Sequence, residues 1–517
     1  MQQKNYRVIN ASAGSGKTYA LVQNLLAICL KHPSQPEKIG NILALTFTNK
    51  AANEMKHRII DWLKKFSIPG YENNQDLINI REKLQNDGYH LTLEDIHFRS
   101  KKILDYVLHH YSTLNIGTID KFNSRLVRSF SYELGLAQNF NLEINSEPFL
   151  IEAVEKMLED IGAENEVSEA FMDYVNYSLD NDERVNLNKT LYASAKEYVQ
   201  DKHYFRLAQN KDFDWVSYEN SKKNLREEIK NLKTESIKII EEVNQLLKEK
   251  NLEIADFAGG NSNSIAKFFN ETKRYYHKER PDFPIPANED GALTKFQAGA
   301  SGTAKNRQGE ILEIIDYLIN QRQKLFQNYI LTKKKEKILQ AILPLKVNKD
   351  IQDKLAEIEE KNDVVLLSKF NIMIHENLRE EPSSFIYEKV GTRFSHYFFD
   401  EFQDTSFLQW QNFIPLKDNA TSSEGMTFTL VGDPKQSIYR FRGGDSKIMI
   451  DIINNNEAQT FNLENNWRSA KNIVDFNNQL YLFLSGNTQA EHCEIFGSGS
   501  QQTAKSQLEG NVRINLI

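Results

Sequence analysis

Residues 11–18 read ASAGSGKT and residues 398–405 read FFDEFQDT, and together the two segments hold the side chains that phosphoryl transfer needs. In the first, Gly14 and Gly16 let backbone N–H groups close on phosphate oxygens, and the helix N-terminus that follows adds a favourable dipole. Lys17 reaches β- and γ-phosphates, Thr18 offers a hydroxyl to Mg²⁺, and Ser12, Ala13 and Ser15 complete the cradle. The position five residues before Gly16, usually glycine, is Ala11, so only small size is kept there. In the second segment the apolar run Tyr397, Phe398 and Phe399 delivers two carboxylates to a sheet edge, Asp400 for a magnesium shell and Glu401 to orient an attacking water. A solvated carboxylate pair at a strand end is the plain alternative for these two taken alone. The phosphate loop and the following Gln403-Asp404-Thr405 weigh against it.

Such groups meet only if strands deliver them to one edge. The phosphate loop opens from a β-type run, YRVINAS (6–12), and leads into a helical pattern, TYALVQNLLAICL (18–30). NILALTFTN (41–49), LNIGTID (114–120), SHYFFDEF (395–402) and TFTLVGD (427–433) are likewise apolar and end in polar or small residues. Five such runs suit an α/β fold with a buried parallel sheet whose ligands sit at the carboxyl ends of the strands. Between 145 and 361 the texture becomes charged and helical. There Leu225, Ile229, Leu232, Ile239, Val243 and Leu246 recur at threes and fours, which predicts an amphipathic helix over 220–250. GALTKFQAGASGTAKNRQG (291–309) reads as a mobile loop and SGSQQTAKSQ (498–507) as a connector.

At 517 residues the chain has room for about three or four domains. Its net charge of -7 and pI near 6.0 give no global attraction to nucleic acid, so any such binding must come from local patches and stacking. One such patch is KFFNETKRYYHKER (267–280), where Phe268, Phe269, Tyr275 and Tyr276 interleave with Lys273, Arg274, Lys278 and Arg280; a half-buried amphipathic helix is the alternative. Cys29 and Cys493 are too far apart in sequence for a metal-ligand spacing and make no disulfide framework, which suggests a reducing, cytoplasmic setting. No secretory leader pattern and no run of roughly 18 apolar residues points to a membrane.

The ordered motifs ASAGSGKT, LTFTNKAANEMKHRI (45–59), IGTIDKF (116–122), DEFQDT (400–405), VGDPKQSIYRFRGGD (431–445) and NNWRS (465–469) resemble the superfamily 1 DNA helicases of the UvrD/Rep group, more closely the RecB/AddA recombination type. The resemblance covers nearly the whole chain. It implies a RecA-like P-loop motor that binds ATP and Mg²⁺ and moves on DNA. Gln436 would sense the γ-phosphate and pass its state to the DNA side. Tyr439 and Phe441 would stack bases, with Arg442 alongside, although core packing is the alternative for the two aromatics. Phe47, Thr48 and Asn49 would meet a single-stranded backbone and a base, and Thr118 would add a backbone contact. Trp467 would stack on adenine and Arg468 would contact the γ-phosphate as a fixed cation.

Departures from the family pattern narrow the subtype. Tyr19 stands where an arginine usually follows the GKT, Gln2 and Gln3 are poor substitutes for an upstream glutamine motif, and Asp120 replaces a more common histidine. Adenine specificity is thus less secure than hydrolysis. The expected organisation is a first motor segment at 1–144, an inserted helical domain at 145–361, a second motor segment at 362–446, and the start of a second motor domain at 447–517. The motifs that would complete that second domain are not found, which reads as the N-terminal half of a longer protein. The functional expectation is an ATP-dependent helicase or translocase in double-strand-break processing, whose partners would be single strands, duplex ends and an AddB-like subunit. A regulatory or DNA-binding ATPase subunit that hydrolyses ATP without unwinding is the alternative.

Overall fold

Apolar runs at 42–46, 396–399 and 427–432 bury side chains on both faces, as strands in the middle of a covered parallel sheet must. The computed structural model describes residues 3–136, 140–159, 186–200, 214–259, 288–302, 304–380, 393–439, 443–487 and 500–514, with a few isolated positions between them. The strands are β1 (Gln3–Asn10), β2 (Ile42–Thr46), β3 (Asn115–Thr118), β4 (Asn141–Glu143), β5 (Val364–Leu366), β6 (His396–Phe399), β7 (Thr427–Gly432), β8 (Ala458–Asn462), β9 (Asn465–Asn466) and β10 (Thr503–Ala504). Six of them form one sheet in the order β3-β2-β6-β7-β1-β8, every neighbouring pair parallel. Their carboxyl ends therefore open on a single edge. β4 pairs with β5, and β9 with β10, as small separate ribbons.

Alternation along each strand splits the apolar residues between two cores. Ile42, Ala44, Phe398 and Val431 face helices α1 (Lys17–Leu30), α2 (Asn49–Ser67), α3 (Gln75–Asn86) and α4 (Leu93–His109). Leu43, Leu45, Tyr397, Phe399, Phe428 and Leu430 face α5 (Ile119–Ser129) and the helices at Phe370–Glu380, Phe407–Ser422 and Ser446–Asn454. Phe428 centres the second core, with ring centroids of Phe399 at 5.0 Å, Tyr397 at 5.6 Å, Tyr6 at 6.0 Å and Trp410 at 6.2 Å. The boundary expected after residue 446 falls inside this fold, because Ile448, Met449 and Ile452 fill the core and β8 is the sixth strand.

The chain divides into two units, one of residues 1–149, 196–208 and 356–517 and the other of 150–195 and 209–355. In the second, the helix expected at 220–250 runs from Trp215 to Glu249, capped by the Asp214 side chain on the Ser217 N–H. Ile229, Ile239 and Val243 are buried as its spacing predicts. The segment expected as a mobile loop at 291–309 carries helical structure on both sides of residue 303. Asn288 caps a helix at Glu289–Gln297, and Phe296, 1% exposed, stacks on Phe257 at 5.2 Å. One buried aromatic anchors a segment whose glycine content suggested freedom. The connector at 498–507 likewise contains β10, whose partner is β9.

At the start of β6, His396 lies opposite Thr427, its Nδ1 3.0 Å from the Thr427 hydroxyl. Burial, followed by the nearby charges of Lys31, His32, Arg7 and Lys38, lowers its pKa to about 4. The unfolded chain takes up this proton near pH 6.5 while the folded chain resists until about pH 4, so the stability held above 6.5 is lost as pH falls through that window. Urea unfolding of His396→Asn is expected to lose roughly 2 to 3 kcal/mol less than the parent between pH 7 and pH 4. Equal slopes would place the titrating group elsewhere.

Candidate nucleotide and nucleic-acid site

The phosphate loop begins where β1 ends. Ala11, fully buried, donates its N–H to the Gly432 carbonyl at 2.9 Å, which ties the loop to the end of β7 and leaves room only for a small side chain. Gly14 and Gly16 take left-handed φ values of 79° and 86°, and Gly16 caps α1 so that Lys17 is its first residue. Glycine is the residue that adopts such angles without strain. Ser12 and Ala13 lie in the turn between, and Thr18 sits in the first turn of α1. The Ser15 hydroxyl is buried with no partner.

Asp400 and Glu401 follow β6, as the sequence predicts. Asp400 donates its N–H to the Leu45 carbonyl at 2.8 Å, and its Oδ1 accepts the Glu401 N–H at 3.0 Å. Burial pushes its carboxyl up to about 6; Lys17 opposes that shift and Glu401 adds to it. Glu401 has φ 55°, a costly angle for a side chain with a Cβ. Its Oε2 accepts Lys17 Nζ at 2.6 Å and Gln403 Nε2 at 2.7 Å. Gln403 is 1% exposed, and its Oε1 accepts the Asp433 N–H at 3.0 Å. A Cβ on Gly432 would lie 2.5 Å from that same Oε1, so the glycine is required by close approach. Gln436 does not face Glu401: its Nε2 donates to Asp433 Oδ2 at 2.7 Å, while Lys435 Nζ holds Oδ1 at 2.9 Å.

Beside this cluster lies an aromatic pair. Phe47, after β2, and Tyr439, after β7, are both half-buried, with ring centroids 4.6 Å apart and planes inclined by 35°. Thr48 is exposed and caps α2 through the Ala51 N–H, Asn49 is the exposed first residue of that helix, and Thr118 caps α5 through the Lys121 N–H. Burial, and after it the charge of Glu401, raises the Asp404 carboxyl to about 6, while the nearby N–H groups of Tyr439 and Ile438 oppose the shift; its Oδ1 is buried without a partner. Phe441, Arg442 and the 267–280 segment lie outside the described residues.

NNWRS docks on the phosphate loop from the other side. Trp467 donates its N–H to the Gly14 carbonyl at 2.9 Å, and Asn466 Nδ2 donates to the Ala13 carbonyl at 3.1 Å and to Gln502 Oε1 at 2.8 Å. Asn466 Oδ1 accepts the N–H groups of Arg468 at 3.0 Å and Ser469 at 2.8 Å, and would stand 2.7 Å from a Cβ on Gly14. This leaves Trp467 64% exposed next to Gly16 and the Arg468 side chain open to solvent. Tyr19 is engaged by protein partners. It packs edge-on against Trp62 at 4.9 Å and accepts Asn79 Nδ2 at 2.8 Å.

Sequence reasoning placed Gln403, Asp404 and Asn466 inside motifs but gave them no work. Their signal was the burial of polar side chains next to an apolar strand end. Gln502 carried none, since its role depends on a ribbon formed across 36 residues.

Comparison with known proteins matches a family model described as the UvrD/REP helicase N-terminal domain to residues 1–457. The chain is 26% identical to the AddA subunit of the ATP-dependent helicase/nuclease of Natranaerobius thermophilus, an alignment covering 92% of the chain and 37% of that relative. It is 24% identical to the subunit of the same name in Acetivibrio thermocellus, over 99% of the chain and 41% of the relative. RecBCD enzyme subunit RecB of Haemophilus influenzae is 23% identical, over 92% and 40%. The chain thus spans about two fifths of the length of these relatives.

Asn466 bonds the phosphate loop with one end of its side chain and the N–H groups of Arg468 and Ser469 with the other, so Asn466→Ala is expected to cost roughly 1 to 3 kcal/mol in thermal unfolding and to speed amide exchange at Arg468 and Ser469. Unchanged exchange would mean that the backbone alone holds the loop.

Proposed function

This chain belongs to the UvrD/REP helicase family, and on that premise we propose that its sheet unit is the nucleotide-driven motor of a DNA helicase or translocase that processes double-strand ends in recombination and repair. The observation that carries the reading is the meeting of Lys17, Asp400, Glu401 and Gln403 at the carboxyl ends of β1 and β6, beside a half-buried aromatic pair. The donor set fits Mg²⁺ and ATP. A buried Ser15 hydroxyl without a partner and an Asp400 carboxyl raised by burial are groups that a bound triphosphate and a cation would satisfy. Residues 11–18 would hold the phosphates, Thr18 and Asp400 the metal, Trp467 the base and Arg468 the terminal phosphate. The metal supplies charge neutralisation for the phosphoryl oxygens.

The chain's own groups do the rest. Glu401 aligns an attacking water and receives its proton at a carboxylate oxygen; Lys17 stabilises charge as the terminal phosphoryl leaves. Gln436, three residues beyond Asp433, couples that event to the loop that ends in Tyr439. Phe47 and Tyr439 offer stacking faces to unpaired bases, with Thr48, Asn49, Thr118, Phe441 and Arg442 along the strand. The partners proposed are single-stranded DNA, duplex ends and an AddB-like subunit.

In the full-length protein, Lys17→Ala is expected to weaken nucleotide binding, and Glu401→Gln to keep binding while slowing DNA-stimulated hydrolysis at least about 100-fold. Normal turnover in either variant would overturn the catalytic assignment, and turnover without strand displacement would favour a non-motor ATPase subunit. Tyr439→Ala should weaken single-strand affinity by about 1 to 3 kcal/mol in a fluorescence titration at fixed salt, leaving DNA-free nucleotide affinity intact.

A further inference from the structure

Two adjacent residues past the carboxylate pair reach across to the loop that follows β7. Gln403 spans from Glu401 Oε2 to the Asp433 N–H with its two amide atoms, and its backbone carbonyl accepts the Ser437 hydroxyl at 3.3 Å. The Asp404 carboxylate lies near the N–H groups of Tyr439 and Ile438. Close packing excludes slack at both: Gly432 has no room for a Cβ beside Gln403, and a Cβ on Gly444 would lie 3.0 Å from the Asp404 carbonyl. Gln436 is turned to Asp433 and away from Glu401 in this arrangement. The hydrogen-bonded connection from the reacting carboxylate to the loop that carries Tyr439 therefore runs through Gln403, by way of Asp433 and Ser437.

Phosphates in the loop would change this balance. Glu401 Oε2 accepts two donors, Lys17 and Gln403. Phosphates recruit Lys17, which leaves Gln403 as the donor that fixes the carboxylate. Any shift of Glu401 then moves an amide whose other end is clamped to Asp433.

We infer that Gln403 is a positioning residue that links nucleotide occupancy at Glu401 to the setting of the loop that carries Tyr439. The inference rests on the helicase reading above, and it adds a path that does not pass through the Gln436 side chain.

The test uses the full-length protein with Gln403→Met, which fills the same space without hydrogen bonds, and Gln403→Glu, which keeps the acceptor for the Asp433 N–H but turns an oxygen on Glu401. Two quantities are read without turnover: the ratio of single-strand dissociation constants with and without a non-hydrolysable ATP analogue, and amide exchange across 433–439 in nucleotide-free protein. Coupling between sites of this kind is typically about 5- to 150-fold. Both variants are expected to bring the ratio within about 2-fold of unity. Gln403→Met should also speed exchange at Asp433, and Gln403→Glu should not. A parental ratio in both variants overturns the inference and leaves the helicase reading standing. A parental ratio in Gln403→Glu alone reduces Gln403 to a packing residue and overturns it as well. A parent protein whose DNA affinity ignores nucleotide altogether overturns the reading and the inference together. If Gln403→Met does not fold, Gln403→Glu decides alone by its ratio.

Discussion

A parallel sheet points every strand the same way, and that single constraint organises this molecule. Because β1, β2, β3, β6 and β7 all end on one edge, residues separated by nearly four hundred positions, such as Lys17 and Glu401, come within hydrogen-bond distance. The order matters as much as the direction. β7 lies between the strand that feeds the phosphate loop and the strand that carries the carboxylates, so its terminal loop touches both. Ala11 bonds the Gly432 carbonyl, and Gln403 bonds the next N–H. A two-way clamp on one peptide is possible only in that strand order.

Much of this was legible in the residues because the parts that bind phosphate are backbone-limited. Positive φ at Gly14 and Gly16 leaves little choice of residue, and the apolar runs before Asp400 and Asp433 cannot be solvated strands. Contacts made by polar side chains between distant loops were not legible. Nothing in the local sequence around Gln502 says that it meets Asn466, and Tyr19 gives no sign that it prefers Trp62 and Asn79 to an incoming base. The segment at 291–309 failed for a different reason. Its glycines promised freedom, but Phe296 has a buried aromatic partner in Phe257, whose burial offsets part of the backbone entropy of fixing the segment.

The polar cluster is held with little excess. Gln403, Asp433 and Asn466 are each at most 4% exposed, and each uses both ends of its side chain. Buried polar groups that are fully paired give directionality that apolar packing lacks. Glu401 at φ 55° sits at the centre of them, and the surrounding bonds hold it in a backbone geometry it would otherwise leave.

The Lys17–Glu401 pair has a meaning for selectivity. Its two partners are only partly exposed, at 14% and 31% of their side chains, so the carboxylate is a tethered rival for the ammonium at very high local concentration. Any anion entering the loop must outcompete it. A monovalent anion such as chloride offers one point of contact, whereas a polyphosphate has oxygens enough to engage the lysine and the backbone amides at once. The Lys17–Glu401 pair thus favours ligands that carry enough charge to displace the carboxylate from the ammonium.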